Sequence, residues 1–90
     1  MSVVWTGDLE DDCTAYWHDL ILRAERMEMG VWWWQVLRVV GTQISEDGEA
    51  RAVCEEVSSV DHGYPWPSTG VQARMAADAA ARKFMEENPL

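Results

Sequence analysis

Cys13, His18, Cys54 and His62 are the zinc-type ligands of this chain and its candidates for nucleophilic chemistry. A structural zinc site uses four such groups, usually in tight C-x2-C pairs. Here the spacings are C-x4-H and C-x7-H, so the expectation is no metal and no cofactor. His18-Asp19 and Asp61-His62 each set a carboxylate beside an imidazole. A nucleophile and its base must converge in space, which adjacency in sequence does not supply. With Cys54 they form the best Cys/His arrangement on offer; the plain reading of Asp61-His62-Gly63 is a turn. Asp8, Glu10, Asp12 and Asp19 fall at positions 1, 3, 5 and 12 of a calcium loop. Position 6 is Cys13 rather than the required Gly, and position 12 is Asp rather than Glu, which leaves a solvated acidic segment. No phosphate loop, dinucleotide glycine pattern or Gly-x-Ser-x-Gly elbow occurs. The sequence therefore predicts a protein that is not an enzyme.

The 90 residues carry 16 acids against 7 bases, a formal charge of −9, and 48% are apolar. That composition suits one small globular domain, residues 1–90. Such a chain buries about 60–65% of its unfolded surface and reaches a stability of about 5 kcal/mol. The negative charge disfavours nucleic acid and anionic lipid and favours basic surfaces. The expected partner is a protein, or a second copy of the chain. Residues 1–12 lack a basic, then apolar, leader, and no stretch nears the 18 apolar residues of a span. The expectation is a cytoplasmic protein with reduced thiols and no membrane partner.

Four zones must position these residues. Residues 1–12 read as an acidic N-terminal arm whose Trp5 can be pinned to the body. Residues 13–29 carry two patterns. As a helix, Leu9, Cys13, Tyr16, Trp17, Leu20, Ile21, Ala24 and Met27 recur at spacings of 3 and 4. As strands, Tyr16, His18, Leu20, Leu22 and Ala24 share one face and Trp17, Asp19, Ile21, Arg23 and Glu25 the other, with turns at His18-Asp19 and at Glu28-Met29-Gly30. Strands are preferred, because a two-stranded sheet alone is marginal. Val31 to Val40 reads as a strand rich in aromatic and β-branched residues. Asp47-Gly48 signals a hairpin turn, and Ala50 to Val60 the returning strand. Residues 61–68 form a loop in which Pro65 and Pro67 fix the backbone around Trp66. Residues 69–87 read as a helix: Thr69 and Gln72 fit a capping box, Ala73, Ala76, Ala77, Ala80 and Phe84 share one face, Asp78 and Arg82 form an i,i+4 pair, and Pro89 follows the end.

The predicted fold is α+β, an antiparallel meander of three to four strands with one C-terminal helix packed on it. The alternative is α-β-β-α with residues 9–28 helical. Along 31–40 both strand faces are apolar, while one helix covers only one. The arm with Trp5 and the loop with Tyr64 and Trp66 are candidates to cover part of the second face, and a partner the rest.

Leu20 to Met27, Trp32-Trp33-Trp34 with Val36, and Thr69-Gly70 leading into Ala73-Arg74 and Ala76 to Arg82 together resemble small uncharacterised phage and prophage proteins of bacteria. The resemblance spans most of residues 14–85. It implies the meander and the alanine-rich closing helix, and no activity. The last helix is also similar to the closing helix of double-stranded-RNA-binding domains, but their lysine cluster is reduced here to Arg74 within Ser68 to Arg74.

The expected function is a non-enzymatic acidic protein-binding module, phage-borne in type, acting through a Trp-rich sheet face. Its partner-binding residues are Trp32, Trp34, Trp66, Glu55 and Glu56. Replacing Trp32 and Trp34 by Ala is expected to abolish binding and leave the domain folded. The alternative is a small structural homo-oligomer using the same face. A small Cys/His metal protein or enzyme ranks last.

Overall fold

The computed structural model describes residues 3–62 and 65–88. Its elements run β1 (Trp5–Gly7), β2 (Asp12–Trp17), β3 (Leu20–Glu28), β4 (Val31–Ile44), β5 (Ala50–Ser59), a 3₁₀ turn (Val60–His62) and α1 (Gly70–Glu87). The strands form one antiparallel sheet in the order β1-β2-β3-β4-β5. This is the predicted α+β meander with its helix, and the described residues form five strands. The extra strand comes from the arm, where Trp5, Thr6 and Gly7 pair with Ala15, Thr14 and Cys13. Residues 9–28 are not helical. Sheet membership lets Leu20, Leu22 and Ala24 bury completely, and that burial outweighs local helix propensity.

Turn chemistry sets the register. His18 takes φ 57 in the two-residue turn between β2 and β3, and Gly30 takes φ 75 in the next. Trp17 consequently pairs with Leu20, and Tyr16 with Ile21. Directly paired residues share a face, so Trp17 joins Leu20 on the helix side and Tyr16 joins Ile21 on the other. This reverses the expected grouping of those two aromatics, because the turn interrupts the alternation carried straight through His18-Asp19.

Alanines let α1 lie close to the sheet. Ala73, Ala77 and Ala81 are buried, with Ala76, Ala80 and Phe84 partly buried beside them. The three buried alanines belong to one core cluster with Cys13, Ala15, Leu20, Leu22, Ala24, Trp32, Trp34, Val36 and Val60, and the helix lies over β3 and β4. The helix start follows the predicted cap with one change. Thr69 Oγ1 accepts from Gln72 N at 3.1 Å, but Gln72 Oε1 accepts from Ser68 N at 3.0 Å rather than from Thr69. Asp78 and Arg82 pair at 2.7 Å as predicted. Tyr64, Gly63 and Pro89 lie outside the described residues.

Candidate functional site: the open sheet face and its ribbon

Trp32 and Trp34 sit under α1, 4% and 1% exposed. They pair with Arg26 and Ala24 and belong to the core, so the expectation that they form a partner-binding face is corrected. Both faces of β4 are apolar, and alternation alone cannot say which one a helix will take. Trp33 is the tryptophan of this run on the opposite face, half-buried, with the Arg23 guanidinium 5.8 Å from its ring centre. Trp5 pairs with Ala15 and packs against the helix-side core, so it does not cover the second face. Trp66 is 49% exposed in the loop before α1. Its neighbour Pro67 ties that loop to the sheet by accepting Trp32 N at 2.9 Å.

No second helix or strand among the described residues lies across the face opposite α1. Register places one cross-strand row there, Tyr16, Ile21, Leu37 and Glu56. Tyr16 is 71% exposed; Ile21 and Leu37 are half-buried. Gln35 Nε2 donates to Glu56 Oε1 at 2.9 Å. The row next to it joins Val39 to Cys54.

β4 and β5 continue beyond the end of β3. The last β3 partner of β4 is Arg38, and Val39 N donates to Asp19 O at 2.8 Å. From there a two-stranded ribbon projects, with residues 40–44 and 50–53 all exposed. An extra residue on β4 between Val39 and Gly41 shifts the register. This keeps Thr42 with Ala52, and Ile44 with Ala50, on the same face as Val39 and Cys54. A neutral stripe thus runs from Tyr16 through Ile21, Leu37, Val39 and Cys54 to Ile44. Sequence reading missed Tyr16, Ile21, Leu37 and Ile44 as site residues. The signal available was the mixed face Ile21, Arg23, Glu25, too polar for a core and too apolar for solvent.

Acids gather at the ribbon end of the stripe and beside Leu37, while Arg23 shares the open face with Ile21. At the ribbon tip Asp47 receives hydrogen bonds from the Ser45 hydroxyl and from Glu49 N. The Ser45 bond, then the backbone bond, holds its carboxyl below the usual carboxylate range. Glu46 and Glu49 flank it. Glu55 pairs with Arg38 on the helix side, and Glu56 lies on the open side; both are exposed. The two predicted acids therefore point to opposite faces.

The other candidates do not converge. Cys13 lies on the helix side paired with Ala24, and Cys54 lies on β5 paired with Val39 on the open side. Both thiols are free. Burial pushes the Cys13 thiol pKa up, against a smaller lowering by Arg74. Asp19 Oδ2 accepts from Arg38 Nε at 3.1 Å, which commits that carboxylate to an arginine, while the His18 ring lies tilted at 56° to the Trp17 ring, 4.8 Å between centroids. Asp8 Oδ1 accepts from Glu10 N at 2.9 Å, closing its own turn. The His62 side chain lies outside the described residues. Among the described residues no three His, Cys, Asp or Glu groups are placed to share a metal. A recess of about 270 Å³ opens beside α1, lined by Trp34, Ala76, Ala79, Ala80 and Lys83, where alanines are too short to fill the space.

No family model, curated protein or solved structure matches the chain. No helix among the described residues is long and apolar enough to cross a membrane.

Proposed function

We propose that this chain is a non-enzymatic protein-binding module that offers the open face of its sheet, continued along the β4-β5 ribbon, to a protein with a basic surface. One observation carries the reading: the neutral stripe Tyr16, Ile21, Leu37, Val39 and Ile44 lies opposite the helix, on a chain of charge −9. Contiguous apolar surface rimmed by polar groups is characteristic of interaction sites. The acidic rim at Glu46, Asp47, Glu49 and Glu56 speeds encounter with a basic partner. The site therefore moves from Trp32 and Trp34 to the opposite face, and Glu56 stays part of it.

Affinity capture with two baits tests this. Wild type is compared with Ile21→Asp/Leu37→Asp, which charges the stripe and leaves the helix-side core untouched. Matching circular dichroism spectra establish that the variant is folded. The expected result is a basic protein retained by wild type, lost by the variant, and released as salt rises. A partner held equally by both baits refutes the open face as the site.

A further inference from the structure

The outer edge of β5 has no strand beside it among the described residues. Ala50 to Glu56 forms an uninterrupted run on that edge. The shift near Val39 adds its extra residue to β4, and the first irregularity on β5 comes after Glu56. Every residue of the run except the half-buried Cys54 is exposed. It contains no proline and no lysine, two of the devices that blunt sheet edges. Such an edge is a template for another strand.

The run reads Ala50-Arg51-Ala52-Val53-Cys54-Glu55-Glu56. Two copies meeting edge to edge are antiparallel about a twofold axis perpendicular to the sheet. That axis keeps each side chain on its own face, so partners must be an even number of residues apart. Centred on Val53, it sets Val53 against Val53, Ala52 against Cys54, and Arg51 against Glu55 twice. Centred on Ala52, it sets Glu55 against Glu49. Centred on Cys54, it sets Val53 against Glu55 and runs into the irregularity beyond Glu56. Only the Val53 register joins opposite charges without apposing like ones. Arg51 now lies 3.8 Å from Glu49 with both side chains well over half exposed. A pair so exposed holds Arg51 weakly, and the guanidinium is free to turn to a facing carboxylate.

We infer that two copies of this chain pair through β5, antiparallel about Val53, to make one ten-stranded sheet with both helices on the same side. This assembly uses the strand edge and stands apart from the open-face reading.

Solution mass by light scattering on the full chain tests it. Wild type is expected at twice 10.2 kDa. Arg51→Glu and Glu55→Arg each place like charges opposite each other at two positions, and each is expected to weaken the dimer by about tenfold or more. The double swap Arg51→Glu/Glu55→Arg restores the opposite pairing and is expected to restore the dimer. In a Cys54→Ser background, Val53→Cys is expected to give a disulfide-linked dimer under mild oxidation, because residues facing across the axis lie within bridging range. A wild-type mass of 10.2 kDa at the highest soluble concentration overturns the inference. So does a dimer indifferent to both single reversals, a folded double swap that stays monomeric, or the absence of the Val53→Cys crosslink. Ile21→Asp/Leu37→Asp is expected to keep the dimer mass, so failure of the open face and failure of the edge are read separately.

Discussion

Gly70 sits against the ring of Trp32: a Cβ built on Gly70 falls 2.9 Å from Trp32 Cη2 and 3.0 Å from the carbonyl oxygen of Leu9. The first helical residue is thus wedged between the core tryptophan and the turn after β1. Arg74 fastens the same turn by donating to Leu9 O at 2.7 Å. Gly70→Ala is expected to destabilise the fold by about 1–3 kcal/mol, the usual cost of overpacking. Helix propensity alone predicts the opposite sign, a gain of up to about 1 kcal/mol. The urea midpoint decides between them; an Ala variant as stable as wild type means the helix start can shift away from Trp32.

The tryptophan run separates core from surface within three residues. Trp34→Ala removes a fully buried indole and is expected to cost about 3–5 kcal/mol. That is most of the stability of a domain this size, about 5 kcal/mol. Trp33→Ala, on the open face beside Arg23, is expected to cost about 1 kcal/mol. The double change at Trp32 and Trp34 is expected to unfold the chain, reversing the expectation drawn from sequence. Far-ultraviolet circular dichroism of the three variants reads the order, and equal losses at Trp33 and Trp34 contradict the assigned faces.

The helix carries no acidic side chain in its first turn, and Thr69 alone caps Gln72 N through its side chain. Thr69→Ala is expected to cost about 1 kcal/mol. Thr69→Asp keeps the acceptor and adds a charge favoured at a helix N-terminus, so it is expected to match or exceed wild type. Thermal melts of the pair check this, and a destabilising Asp excludes the capping role.

Local signals carried well into the structure. Thr69 and Gln72 mark the helix start, the Asp47-Gly48 pair lies in the ribbon turn, and Ala50 opens β5. What failed were choices between equivalent patterns. Val31 to Val40 is apolar on both faces, so nothing local says whether Trp33 or its two neighbours meets the helix. The answer lies in residues far along the chain, where Ala73, Ala77 and Ala81 dock. β1 has three residues, too few for any periodicity to show. The open stripe depends on one extra residue near Val40, and only pairing with β5 reveals it.

Cys13 is shielded by the helix, 1% exposed, with its thiol 3.6 Å from the Ala24 carbonyl it donates to. Burial favours the neutral thiol, so its pKa in the folded state lies above the usual 9.0. A raised acid pKa contributes stability below the unfolded value, and that contribution is lost as pH climbs toward and through the folded value. Stability is therefore expected to fall above about pH 9, and to fall less in Cys13→Ala. In a Cys54→Ser background an aromatic disulfide reagent is expected to reach Cys13 only through opening, at a rate that rises with urea. In the Cys13→Ala background Cys54 is expected to react without denaturant. Reaction of Cys13 at the speed of a free thiol, or alkaline curves that coincide for the Cys54→Ser protein with and without Cys13→Ala, refutes the burial assigned to this side chain.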